Sequence, residues 1–271
     1  MSTPIFYLHV EARGVQAEVR LNDAPIIELF VEYPQHAFPT ISEWVINGEN
    51  VLSVHVQQAD ETAQLRITLC QASLGDIPEP GSEVELAIVE WPPPLPAGAT
   101  EVAEVAAPPM PPMPPILRAV GFATHSWAPW YWQSAPPFTA DRRSVAELIT
   151  WLRDLHATLA AGQIDPLAAN SQFKFSEVAP VYDMTTAEAQ TRLTQTWAHI
   201  SAQPGWEIAA FDEADVDLRV RCDGRLIEPC TRDGLPLIRQ IRPVGGDRWS
   251  MPIFVGRTHR DYVAGYLAIV R

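Results

Sequence analysis

WPPPLPAGATEVAEVAAPPMPPMPP, residues 91–115, is the stretch whose reading decides how this chain folds. Proline lacks a backbone N–H and holds φ near one value, so the run is neither helix interior nor central strand. It predicts exposed polyproline II around an Ala/Thr/Glu middle. The text before it reads as strands. The text after it reads as a strand, a tryptophan-rich bridge, helices and then strands again. Ile116 to Ala123 (ILRAVGFA) is apolar and strand-like. If it returns to the first domain, the proline run is a loop of that domain; otherwise it is an interdomain linker. The first version is adopted. It gives a β-sandwich domain over residues 1–138, which includes the proline-rich segment 91–115 and the tryptophan-rich bridge 124–138, and an α+β domain over residues 139–271.

Upstream, short alternating segments follow one another. Ile5 to Val10 is β-prone, and Val15, Ala17, Val19 and Leu21 alternate with polar residues. Ile26 to Val31, Val51 to Val56, Leu65 to Cys70 and Val84 to Ile88 continue the pattern. Asn22-Asp23-Ala24-Pro25 and Asn47-Gly48 supply turns. Many short strands with turns between them predict an antiparallel sandwich.

The segments VRLNDAPI (19–26) and ISEWVINGENVLSVHV (41–56) carry a resemblance. Residues 15–56 resemble the galactose-binding-like jelly-roll modules that accompany many glycoside hydrolases. That resemblance implies a jelly-roll frame and carbohydrate as a ligand class. A sugar platform would use exposed aromatic rings, and Tyr33, Phe38 and Trp44 are its candidates; core packing or loop anchoring is the alternative for each. In the residues themselves, Gly48 suits the turn and Asn50 suits hydrogen bonding to nearby backbone as the strand begins.

Downstream, Trp127, Trp130, Tyr131 and Trp132 fall within six residues. They are candidates for an interface, either with a ligand or partner or as rings that seal a contact between domains. Thr139 or Asp141 caps a helix that ends near Gly162, with Val145, Leu148, Trp151/Leu152, Leu155 and Leu159 on one face. His156 sits beside that face. Residues 164–183 read as irregular, with Phe173-Lys174-Phe175 as a short strand. Thr185 or Thr186 caps a second helix with Ala189, Leu193, Trp197 and Ile200 inward. Strands follow: residues 206–211, 216–222, 225–230, 235–241, 249–257 and 262–270. Helices before an antiparallel run predict helices packed on one face of a curved sheet. This order of elements resembles NTF2-like and cystatin-like folds, which implies a conical pocket in a family that includes both enzymes and inert binding modules. Pocket candidates are Tyr182, Asp183, His199 and His259.

Composition narrows the function. Hydrophobic residues make up 47% and charged residues 19%, as in a globular protein rather than a disordered one. Residues 1–110 hold 16 Asp+Glu and 3 Lys+Arg, whereas residues 111–271 hold 17 and 16, so the net charge of −14 belongs almost wholly to the first part. Such a surface repels phosphate backbones and favours a basic protein partner or metal counter-ions, unless it serves solubility alone. Arg219, Arg221, Arg225, Arg239, Arg242, Arg248, Arg257 and Arg260 lie on or beside the predicted C-terminal strands, as an anion-recognising face or a solvated one.

Phosphate-binding glycine loops, GxSxG and HExxH are absent from the sequence. Cys70, Cys222 and Cys230 show no zinc-finger spacing. Cys222 and Cys230 flank an Asp223-Gly224 turn and would face each other across a hairpin, as a disulfide or as reduced thiols. The acidic group Asp212, Glu213, Asp215 and Asp217 lacks EF-hand spacing. No cofactor or metal is expected, and neither nucleic acid nor membrane as a partner. The N-terminus MSTPIFYLHVEARG lacks signal-peptide features, which points to the cytoplasm. These features together predict a non-enzymatic binding protein, an acidic immunity- or secretion-accessory-type bacterial protein. Alternatives are a ligand-binding or enzymatic pocket in the C-terminal domain, and carbohydrate binding by the first.

Overall fold

A computed structural model describes residues 3–75, 83–93, 113–241, 249–258 and 266–271. The chain divides into two compact units, Met1–Ala128 and Pro129–Arg271. The polyproline II expectation falls mostly on residues 94–112 and lies outside the described residues, as do His259, Arg242, Arg248 and Arg260.

In the first unit two long strands form a ribbon. β1 (Pro4–Leu21) pairs antiparallel with β4 (Gly48–Ser73) along its whole length, from Pro4 opposite Ser73 to Leu21 opposite Leu52. The ribbon is kinked. The register shifts between Arg13 and Val15 and again between Gln16 and Ala17. Gly14 there has φ +63, a left-handed conformation that favours glycine. The kink flips the phase of burial. Phe6, Leu8, Val10 and Ala12 are buried before it, and Val15, Ala17, Val19 and Leu21 after it. The same core face is thereby kept through the bend. The two segments expected from the alternation of residues 5–10 and 15–21 are therefore one strand, as are those at 51–56 and 65–70.

Shorter strands extend both halves of the ribbon. β2 (Ala24–Leu29) pairs with the second half of β1, and β3 (Gln35–Ala37) with its first half. β5 (Val84–Trp91) pairs with the second half of β4, and β6 (Ile116–Ala123) with its first half. These six strands form one antiparallel sheet, and the proline-rich segment connects two of them. The β5 and β6 ends approach closely: a Cβ on Gly121 would stand 2.6 Å from the Leu86 carbonyl oxygen. Only a hydrogen fits where these backbones meet.

The second unit begins with helices. A short helix α1 (Tyr131–Ser134) precedes α2 (Arg142–Ala160), whose N-cap Asp141 accepts hydrogen bonds from the Arg143 and Ser144 amides. Leu148, Leu152, Leu155 and Leu159 recur at helical spacing and are buried. Residues 164–183 are not irregular. α3 (Asp165–Asn170) carries Pro166 in its first turn, where a missing N–H costs nothing. α4 (Gln172–Val178) follows, so Phe173, Lys174 and Phe175 are helical and Phe175 is buried. A segment of seven residues shows too little periodicity to separate helix from strand. α5 (Thr186–Ser201) opens on a capping box between Thr185 and Glu188.

β7 (Val216–Arg221) and β8 (Leu226–Thr231) form a hairpin whose turn holds Cys222 and Asp223 at positive φ. β11 (Val255–Arg257) and β12 (Leu267–Ile269) complete a four-stranded antiparallel sheet in the order β12-β11-β8-β7. β9 (Ile238–Arg239) and β10 (Ser250–Met251) form a separate pair. The α2 leucines and Trp197 of α5 join Ile227, Val255, Leu267 and Ile269 in one buried cluster. Each such side chain contributes about 1.5–3 kcal/mol on leaving water. The architecture is thus an antiparallel sheet region followed by helices and a second sheet, two parts in sequence. No helix among the described residues is long and apolar enough to cross a membrane.

Candidate functional site

The described pocket candidates of the second unit lie at the two ends of α5: Tyr182 and Asp183 just before it and His199 in its last turn. Tyr182 ends a 3₁₀ turn and is half-buried; Asp183 follows it in the left-handed region and is exposed. His199 is exposed in the last turn of α5. Thirteen residues of helix from Thr186 separate it from the Asp183 end by about 20 Å. An open groove of about 530 Å³ lies along α3, α4 and α5, and its lining of Gln172, Gln190, Thr191, Thr194 and Gln195 includes none of these candidates.

Other singled-out residues have structural partners. Trp127 stacks on His125 at 4.3 Å and meets Phe6 edge-on at 5.7 Å, all within the first unit. Trp130 and Trp132 are buried. The Arg271 guanidinium lies 4.7 Å above the Trp130 ring and pairs with Glu177 at 2.7 Å. The Tyr131 hydroxyl donates to the Arg257 carbonyl at 2.9 Å. The described arginines of the C-terminal strands are engaged as well. Arg219 pairs with Asp217, Arg221 with Glu228 and Arg257 with Glu147, while Arg225 and Arg239 donate to the carbonyls of Ala135 and Pro236. His156 is buried, and its Nε2–H donates to the Ala209 carbonyl at 2.7 Å.

The thiols are not poised for chemistry. Cys230 stands opposite Asp217 while Cys222 sits in the turn, so the two do not face each other across the hairpin. All three cysteines are buried and none is in a disulfide. Burial pushes the Cys70 and Cys230 thiols up to about 11, which disfavours the reactive thiolate.

Two surfaces of the first unit remain. One is the outer face of β6, which among the described residues is bonded on one side only, to β4, and so is an edge strand. Its outward residues are Ile116, Arg118, Val120 and Phe122, with Phe122 69% and Val120 52% exposed. Val51 of β4 stands opposite Val120 and extends the apolar row, while Glu49 stands opposite Phe122.

The other surface is the outer face of β1 and β3. His9 and Glu11 are two apart on β1 and so share a face; His36 of β3 stands directly opposite Glu11. Their ligating atoms converge. His9 Nε2 and His36 Nε2 are 3.3 Å apart, and the Glu11 carboxylate oxygen lies 3.6 Å from the first and 3.9 Å from the second. Among the described residues this trio has the spacing of a metal-ligand set. Phe38 stacks on His9 at 4.6 Å and meets His36 edge-on at 4.8 Å. Of the aromatic platform candidates, Phe38 and Tyr33 are each 51% exposed and Trp44 is buried. Phe38 belongs with the two imidazoles; Tyr33 stacks on Phe30.

The sequence reading missed this trio. Its signal is His9-x-Glu11, a two-residue spacing on a strand, but His36 joins only through strand pairing. No family model, curated protein or solved structure matches the chain.

Proposed function

We propose that this chain is a non-enzymatic binding protein, an acidic immunity- or secretion-accessory-type bacterial protein of the cytoplasm, whose first unit engages a basic protein partner. The observation that carries this reading is the β6 edge. Scattered exposed apolar side chains are ordinary, but a row of them on an edge strand is a template for strand addition by another chain. Natural edges are commonly blunted by lysine, proline or inward charge; β6 offers Arg118 alone against Ile116, Val120 and Phe122. The acidic surplus of residues 1–110 complements a basic partner and would speed encounter more than it would tighten the complex. The finer kinships belong to the same reading: a galactose-binding-like jelly roll for residues 15–56 and an NTF2-like arrangement for residues 139–271, both frames that hold binding modules.

The test is affinity capture from the extract of its own cells by the wild-type chain and by a Val120→Lys/Phe122→Glu double variant. Both positions are exposed, so an unchanged thermal midpoint certifies the variant. The expected result is a basic protein retained by wild type, released by salt and lost with the variant. Equal retention by both chains, or none by either, refutes the reading.

A second reading, carbohydrate binding by the first unit, is favoured by the exposed stacked pair Phe30 and Tyr33, 5.8 Å apart. A glycan array without hits ends it.

A further inference from the structure

We propose that His9, Glu11 and His36 form a binding site for a divalent transition-metal ion of the zinc class. A point equidistant from three atoms separated by 3.3, 3.6 and 3.9 Å lies about 2.1 Å from each. That is the length of a zinc–imidazole bond, about 2.0–2.1 Å, and falls within the zinc–carboxylate range of about 2.0–2.2 Å. That point is coplanar with the three atoms; a rotation that brings the Glu11 carboxylate oxygen about 0.3–0.5 Å closer to the imidazoles lifts the ion out of the plane and leaves a fourth tetrahedral position for water or a further ligand. The donor set excludes magnesium and calcium as preferred occupants, because both favour six or more oxygen ligands.

The strands prearrange the trio. Glu11 and His36 are a directly opposed pair of the β1–β3 ladder, and His9 is the next residue on the same face. Phe38, the residue after β3, packs against both imidazoles. This accounts for a half-exposed phenylalanine that the core does not need. Glu11 and His36 also line a groove of about 420 Å³ with Arg13, Gln35, Gln64 and Arg66. A ligand of the metal's open position would have room there. The acidity of residues 1–110 raises the local concentration of cations. The site uses β1 and β3, whereas the partner reading uses β6, so either stands if the other fails.

Calorimetric titration of the untagged full chain with zinc chloride tests the proposal, with magnesium chloride in parallel. The expected result is one zinc ion per chain, no magnesium binding at equal concentration, and a zinc affinity weakened more than about 100-fold by His36→Ala. Even an outer-shell partner of a metal is worth about 10–100-fold. The His36 side chain is 60% exposed, so the variant is expected to fold. Glu11→Gln, which keeps the shape and removes the charge, gives a second chain to measure. Cobalt(II) substitution adds a readout that distant surface histidines do not reproduce: an intense visible spectrum of tetrahedral cobalt, lost in both variants. The proposal is overturned if zinc does not bind stoichiometrically. It is equally overturned if binding and the cobalt spectrum persist unchanged in His36→Ala and Glu11→Gln.

Discussion

Replacing Asn50 by alanine is the most direct test of how the first unit is held together. Asn50 is fully buried. Its Oδ1 accepts from the Ile46 amide and from the Asn22 side chain, each at 2.9 Å. Its Nδ2 donates to the carbonyls of Ile46 and Gly48 at 2.9 and 3.0 Å. Asn22 in turn donates to the Trp44 carbonyl at 2.8 Å and accepts from the Val51 amide at 3.0 Å. The two amides thus tie the β1–β2 turn to the start of β4. Alanine strands two donors and two acceptors at once. A buried unpaired polar group costs about 1–3 kcal/mol, but Ile46 and Gly48 are only half-buried and water compensates in part. The expected loss is about 3 kcal/mol, or about 10 °C in the midpoint of a unit of this size. Urea unfolding followed by tryptophan fluorescence, with calorimetry, reads both quantities. Asn50→Asp is expected to be worse at neutral pH, because a carboxylate would face the two carbonyls. Glu49→Ala, at the exposed neighbour, is the control and is expected within about 0.5 kcal/mol of wild type. A midpoint lowered by less than about 2 °C in Asn50→Ala, against the roughly 3–4 °C per kcal/mol of a unit this size, would refute the argument that this amide pair locks the turn.

Gly121→Ala is expected to destabilise the first unit by about 1–3 kcal/mol, since its Cβ would meet the Leu86 backbone rather than a side chain that can move; urea unfolding measures it. Glu177→Ala leaves the nearly buried Arg271 guanidinium without its carboxylate and is expected to cost about 3 kcal/mol in the second unit, read as a lower calorimetric midpoint. Acid is expected to weaken both units. Burial holds His125 and His156 below the ordinary value of 6.5. Below that value the unfolded chain takes up protons that the folded chain refuses, so this stability is complete above pH 6.5 and falls as pH drops toward the folded-state values. His156→Gln, which retains a donor for the Ala209 carbonyl, is expected to flatten the response of the second unit; an unchanged pH profile of the midpoint would count against it.

Much of the local structure was legible in the sequence. The caps at Asp141 and Thr185, the leucine face of α2 and the hairpin around Asp223-Gly224 follow from interactions within a few residues, and the structure has them. The antiparallel strands before the proline run and the helices after it were readable for the same reason. Residues 172–178 misled because seven residues carry too little period, and packing of Phe175 decided for helix. The long ribbon was hidden because burial changes phase at Gly14, so one bent strand imitates two. Asn50 was readable as a hydrogen-bonding residue, but its partner Asn22 lies 28 residues away. The metal-ligand trio shows the same division. His9 and Glu11 share a face by sequence spacing alone, whereas His36 sits in YPQHAFP, whose prolines suggest only a break. What the sequence by itself determined is set by short-range periodicity, capping and turn chemistry. What only the tertiary structure decided is which distant strands pair and in what register, because a shift of one residue carries every side chain to the opposite face.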